Sequence, residues 1–195
     1  LFDHGLEPDQ IVPCPVTTTA GGREFGNAGG FSLGDVPFHT DFARSCNTAF
    51  VDLSASLEPD DLTEAGAAMG LGRDWDLGMG AFSGSIPATE GPTDTAAATI
   101  GQGRLLASPV AMAGVASTVA AGRWVEPVLV VLPGHEAPPP EPLDPARAEA
   151  LQSMMREVVT DGTGSALAGV PGDPVAAKTG TAEYGTDDPP KAHAW

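Results

Sequence analysis

Lysine is nearly missing from this 195-residue chain, which has nine basic residues against 26 acidic ones and only Lys178 and Lys191 as lysines. The net charge of −17 and pI near 4.2 repel phosphate, which argues against a nucleic-acid partner and against an anionic lipid surface. Cysteine is also scarce. Cys14 and Cys46 are too few for a disulfide scaffold and lack the C-x-x-C spacing of a metal site. Cys46 falls on the apolar face of a predicted helix, where a free thiol packs as a small hydrophobe, so the two cysteines are expected to be unbridged. His4, His39, His135 and His193 are scattered without paired ligand spacing. No metal and no cofactor are therefore expected. No stretch approaches the ~20 apolar residues of a membrane span.

Hydrophobic residues, by contrast, make up 42% of the chain, which excludes wholesale disorder and suffices for the core of one domain. Residues 1–6, "LFDHGL", read as the last turns of a helix. Residues 10–38 are Gly- and Pro-rich and predict loops with a small hairpin, the glycines of "GGREFGNAGG" serving turns rather than a phosphate cradle. Over 40–57, Phe42, Cys46, Ala49, Phe50, Leu53 and Leu57 share one helical face. Asp60 and Asp61 cap a helix running to Met69 and stopped by Gly70, and residues 72–107 show no clear periodicity.

Ser108-Pro109 is a helix start, since Ser accepts from free N–H groups and Pro has none to waste; Gly122 ends that helix. Its small residues predict tight burial. "WVEPVLVVL", 124–132, reads as a strand with Pro127 marking an edge or bend. "PGHEAPPPEPL", 133–143, is a surface loop. Asp144-Pro145 opens a helix with an apolar stripe of Leu151, Met154, Met155, Val158 and Val159, ended by Gly162. "DGTGSALAG" is a loop, "PVAAKTGTAEY" a strand passing into glycine, and "KAHAW" the start of a further strand. Helices alternating with a few strands predict an α+β fold in which a sheet is covered by helices.

Two short stretches carry candidate chemistry. Lys178 precedes Thr179-Gly180-Thr181. It is either a strand lysine with its ammonium in water, or a fixed charge beside a glycine whose missing Cβ admits a substrate backbone. Ser45-Cys46-Asn47 is either a pair of polar residues on the outer side of a helix, or a hydroxyl and an amide held beside an apolar wall. The two stretches lie 133 residues apart, so only the fold can join them.

Taken together, the stretches resemble the transpeptidase domain of a penicillin-binding protein, in the superfamily of serine acyl-transferases that includes the serine β-lactamases. Its signatures are S-x-x-K, S-D-N and K-T-G. Ser45-Cys46-Asn47 matches the second with Cys at the variable centre, and Lys178-Thr179-Gly180 the third. "DFARSCNTAFVDL", "IGQGRLLASPVAMAGVASTVAAGR" and "MMREVVTDGTGSALAG" are similar as well, so the resemblance runs over nearly the whole chain in the family's order. "KTGTAE" with "GQG...SP" is more similar to the cell-wall synthases of the monofunctional, class B type than to β-lactamases. The S-x-x-K motif is missing from the sequence, and "LFDHGL" resembles the end of the helix that bears it. The resemblance thus implies an antiparallel sheet flanked by helices, incomplete at both ends. Residues 1–195 would form a partial domain lacking the S-x-x-K segment and the last strands and helix.

The activity implied is that of a D,D-transpeptidase, cross-linking stem peptides through a serine acyl-enzyme and acylated by β-lactams. Ser45 would relay a proton to the leaving amine. Asn47 would donate to a substrate carbonyl and hold the lysine of the absent motif. Lys178 would attract the terminal carboxylate, Thr179 and Thr181 would hydrogen-bond it, the Thr181 N–H would serve the oxyanion, and Gly180 would give access. A compact charge with an adjustable pKa suits Lys178 better than a guanidinium. The implied partners are peptidoglycan stem peptides ending in D-Ala-D-Ala, β-lactam antibiotics and other cell-wall synthesis proteins, with no nucleic acid. The implied location is the extracytoplasmic face of the bacterial membrane, anchored by a segment outside these residues. A D,D-carboxypeptidase, a β-lactamase and a non-catalytic β-lactam-sensing module stay open as alternatives.

Overall fold

The computed structural model describes residues 1–131, 133, 138–184 and 191–194. His135 and part of the proline-rich loop lie outside the described residues. In chain order the strands are β1 (Ile11–Cys14), β2 (Thr17–Ala20), β3 (Arg23–Gly26), β4 (Gly34–Pro37), β5 (Arg123–Trp124), β6 (Glu141–Pro142), β7 (Thr181–Tyr184) and β8 (Lys191–Ala194). The helices are α1 (Phe38–Arg44), α2 (Asn47–Leu53), α3 (Asp61–Ala68), α4 (Pro92–Thr99), α5 (Pro109–Ala121) and α6 (Pro145–Thr160). The strands pair antiparallel as β1–β4, β2–β3, β5–β6 and β7–β8. The chain divides into two compact units, one of residues 1–57, 90–103 and 152–195, the other of 58–89 and 104–151.

In the first unit, β1 buries alternate residues, Val12 and Cys14, as a strand with one covered face does. The β2–β3 hairpin turns through Gly21 and Gly22, at φ 56° and 83°. Such a two-residue turn needs positive φ at both positions, which glycine supplies without strain. A Cβ on Gly21 would also fall 2.1 Å from Thr93 Oγ1. Phe25 packs with Val51, Ala96 and Ala97. Phe2, Phe38, Phe50 and Phe42 form a chain of ring contacts at 5.2–6.4 Å between centroids. Of the stripe predicted on α6, Met154, Val158 and Val159 are buried and Met155 half-buried here; Leu151, in the second unit, is half-buried too.

In the second unit, α5 begins and ends as its caps dictate. Ser108 Oγ accepts from the Ala111 N–H at 3.2 Å, and Gly122 closes the helix at φ 64°. Around Trp124, Gly70 sits so close that a Cβ would lie 2.0 Å from the indole nitrogen. The Arg73 guanidinium stacks 4.4 Å above the same ring and grips Glu141 with two 2.7 Å bonds. No helix among the described residues is long and apolar enough to cross a membrane.

Several expectations are corrected. Residues 1–6 hold one 3-10 turn, Phe2–His4, closed by Gly5 at φ 82°. The helix over 40–57 begins at Phe38 and is broken at Ser45, where φ is 58°. An unpredicted helix, α4, fills 92–99; four consecutive residues, Thr95–Ala98, are buried, so it shows no one-sided pattern. The strand over 124–132 is limited to Arg123–Trp124, and Leu129 and Val131 are 68% and 80% exposed. Its partner β6 is two residues long and contains Pro142, which has no N–H to extend the ladder. α5 is less buried than its small residues imply, with only Ala111, Thr118 and Val119 enclosed. Lys178 is not in a strand, because β7 starts at Thr181; the Ala177 N–H is spent instead on Met155 O of α6 at 2.9 Å.

The largest correction concerns the cysteines. Cys14 and Cys46 are both fully buried, as a thiol on an apolar face should be, but they are joined in a disulfide across 32 residues of chain. The covered face of β1 ends on Cys14 directly against the helix break, a juxtaposition made by topology. Closing a loop of 32 residues removes enough unfolded-chain entropy that Cys14→Ala with Cys46→Ala should cost about 3–4 kcal/mol of stability in urea melts. Thiol titration of the denatured, unreduced chain should find none free; two free thiols would refute the bridge.

Candidate active site

The break between α1 and α2 creates the first half of the site. α1 ends in a left-handed residue whose neighbours close the turn. Cys46 N donates to Asp41 O at 2.9 Å and Ser45 N to Phe42 O at 3.2 Å. This pattern normally places glycine at the left-handed position, and here it holds Ser45. Cys46 then turns extended, at φ −72° and ψ 100°, and Asn47 opens α2. Ser45 and Asn47 thus flank a corner rather than lying along a helix face.

The second half comes from residues 173–181, held against α6. Arg156 Nη1 donates to Val175 O at 2.5 Å, and the Ala177 N–H to Met155 O. Lys178 is thereby aimed at the corner. Its Nζ donates to Ser45 Oγ at 2.9 Å and to Thr179 O at 2.8 Å, and it lies 5.6 Å from the centroid of the Phe42 ring. No carboxylate pairs with it among the described residues. Burial alone therefore sets its acidity, pushing the ammonium down to about 8 because desolvation penalises the charged form.

All six predicted residues, Ser45, Asn47, Lys178, Thr179, Gly180 and Thr181, line one cleft of about 680 Å³. Among the described lining there is no acidic side chain, and the two charged ones are Arg44 and Lys178. In a chain carrying 26 acidic residues this is a local reversal of sign, suited to an anionic ligand. Asn47 is less free than expected, since its Nδ2 donates to Gly26 O at 3.2 Å. The buried Asp41 lies with Cys14 and Cys46 as a trio of possible metal ligands, but both sulfurs are spent in their mutual bond.

One residue of the site was not foreseen. Thr163 lies in the predicted "DGTG" loop and shares a 2.6 Å hydrogen bond with the Thr179 hydroxyl. Its N–H is fixed on Ala43 O at 3.1 Å. Gly162 allows that approach, because a Cβ there would stand 2.2 Å from Ala43 O. The only signal in the sequence is the Thr between two glycines, which also describes an ordinary turn.

The arrangement places a cation on a hydroxyl, with two threonines and a glycine lining the cleft beside it. Such a set can bind a carboxylate and pass a proton through Ser45, which both donates and accepts. Comparison with known proteins shows the family. All of residues 1–195 match the family model of the penicillin binding protein transpeptidase domain, and the chain belongs to that family. It is 32% identical over 222 aligned positions to the peptidoglycan D,D-transpeptidase PbpA of Mycobacterium tuberculosis, covering 100% of this chain and 43% of that protein. It is 38% identical over 217 positions to the PbpA of Mycolicibacterium smegmatis, covering 98% and 42%. A solved structure of penicillin-binding protein A from M. tuberculosis, a ceftriaxone acyl-enzyme complex, superposes with a TM-score of 0.82 at 25% identity, over 99% of this chain and 48% of that one. The chain therefore spans less than half the length of these relatives.

Because Lys178 and Lys191 are the two lysines of the chain, lysine-selective NMR reads the site directly. One side-chain signal, absent in Lys178→Arg, should titrate near pH 8, losing its charge as pH rises through that value. A titration of that signal at the ordinary lysine value, about 10.4, would show the ammonium to be hydrated.

Proposed function

We propose that this chain forms part of a peptidoglycan D,D-transpeptidase that cross-links stem peptides through a serine ester and is acylated by β-lactams. The observation that carries the reading is the 2.9 Å bond from Lys178 Nζ to Ser45 Oγ, in a cleft whose described lining holds no acidic side chain. The nucleophilic serine and its lysine would come from an S-x-x-K segment outside these 195 residues. The serine gives its proton to the neutral lysine of that segment as it attacks the penultimate D-Ala carbonyl, and the terminal D-Ala leaves as its nitrogen takes that proton through Ser45. An amine of a second stem then attacks the ester and releases the serine. Exchanging one amide for another in two steps is covalent catalysis.

Each residue has a part in that scheme. Lys178 attracts the terminal carboxylate and, as a like charge, keeps the lysine of the S-x-x-K segment deprotonated. The Thr179 and Thr181 hydroxyls bind the carboxylate, with Thr163 orienting Thr179. The Thr181 N–H and that of the nucleophilic serine hold the oxyanion, and one such donor is typically worth about 3 kcal/mol. Gly180 leaves room for the substrate backbone. Asn47, already committed to Gly26 O through one amide proton, offers the other to a substrate carbonyl. The substrate lies outside the cytoplasmic membrane, and this places the protein there, beside other cell-wall synthesis proteins.

In the protein carrying the S-x-x-K segment, Lys178→Ala should slow penicillin acylation by about 10²–10³-fold with the thermal midpoint kept. Lys178→Arg should recover part of the rate and lack the alkaline limb expected of wild type near pH 8, since a guanidinium does not titrate there. Lys191→Ala is the control and should leave the rate unchanged. Normal acylation of Lys178→Ala, or a loss that merely follows unfolding, would refute the assignment. The 195-residue chain alone should gain no covalent penicillin adduct by intact mass, and an adduct on Ser45 would overturn its role as a proton relay.

A further inference from the structure

We propose that Asn27 is a positioning residue for Ser45 and Asn47, holding the corner between α1 and α2 by capping α2 from outside; this rests on the transpeptidase reading. A helix N-terminus leaves N–H groups without partners, and the residue before the first turn ordinarily supplies an oxygen to one of them. In α2 that residue is Cys46, whose sulfur is bonded to Cys14 and makes no cap. The missing acceptor comes from 21 residues away: Asn27 Oδ1 receives the Thr48 N–H at 3.1 Å.

The rest of the Asn27 amide is fully engaged. Its Nδ2 donates to Pro15 O and to Phe31 O, both at 2.9 Å. Thr48 Oγ1 donates to the same Pro15 O at 2.8 Å. Asn27 is 7% exposed, so an unmet group here would have no water to turn to. The adjoining carbonyl, Gly26 O, accepts from Asn47 Nδ2. Consecutive residues 26 and 27 therefore fix the side chain of Asn47 and the backbone of Thr48. Through the bridged Cys46 this sets the left-handed turn of Ser45. Asn27 lines a smaller cavity of about 210 Å³ that also borders Asn47 and Thr181, but it does not reach Ser45 or Lys178. It acts through the corner.

Two arms test the proposal. In the protein carrying the S-x-x-K segment, active sites are titrated and the saturating acylation rate by a fluorescent penicillin is measured per active site. Asn27→Ala should lower that rate by about tenfold or more, with the non-covalent affinity changed much less, because misplacement by a fraction of an ångström acts on the chemical step. Asn27→Asp keeps the acceptor for Thr48. When protonated it also donates, but as a carboxylate it faces the carbonyls of Pro15 and Phe31. Its rate relative to wild type should therefore fall as pH rises through the new carboxyl's titration. A per-site rate equal to wild type in both variants, with only the thermal midpoint lowered, would reduce Asn27 to a structural role. The second arm needs no catalysis: in the folded 195-residue chain, Asn27→Ala should shift the Lys178 side-chain NMR signal and leave that of Lys191 in place. An unmoved Lys178 signal counts against the proposal. Failure of wild type to acylate counts against the transpeptidase reading alone, and this arm still decides for Asn27.

Discussion

A left-handed residue that is not glycine costs roughly 1–2 kcal/mol, and it persists only where its surroundings leave no other choice. Ser45 is the only such residue among those described, and its surroundings are crowded with constraints. The residue after it is bonded to β1 through sulfur. Its own N–H and the next are taken by the last turn of α1. The helix beyond is capped by Asn27. Remove the left-handed turn and the apolar pattern of 38–53 would continue as one helix. Ser45 and Asn47 would then no longer flank the corner that Lys178 reaches.

The second dependence is electrostatic. An ammonium taken from water without a carboxylate loses part of its preference for the proton, and Lys178 shows this in its lowered pKa. Its compensation is neutral: an oxygen from Ser45, one from Thr179 and the face of Phe42. A paired carboxylate would hold the charge more firmly but would also neutralise it toward a ligand. The acidic residues elsewhere in the chain weigh little at this site, since salt screens exposed charges beyond about 8–10 Å. The identity of the residue follows. A guanidinium has five donors in one plane and would leave some unmet between these two oxygens.

The parts of the fold legible in the sequence are those fixed by local chemistry. Ser108, Gly122 and Asp144 mark helix ends because capping involves neighbours within a turn, and each does so. The stripe on α6 is legible because one of its faces is buried and the other is not. α4 is hidden for the opposite reason, since Thr95–Ala98 are enclosed all round. The apolar run after Trp124 misleads because apolar composition does not supply a ladder partner. In the site, the two short motifs are readable from residue type and order, whereas the Cys14–Cys46 bridge, the Asn27 cap and the Thr163–Thr179 bond each join residues 16 or more apart. Periodicity does not reach such pairs.

These joins have a common cause. Ser45 follows the end of α1, Asn47 opens α2, Lys178 precedes β7 and Thr181 begins it. Element ends are where side chains can converge, and they are also where backbone groups lack partners of their own. Each end is consequently tied to another element: Asn47 to Gly26, Thr48 to Asn27, Thr163 to Ala43, Ala177 to Met155. At least one side of every tie is a backbone N–H or carbonyl, which a substitution does not delete but can displace. One of these ties needs glycine beside it, at Gly162, where even a methyl group would press on Ala43 O. The placement of Thr163, and through it of Thr179, depends on an atom that glycine lacks.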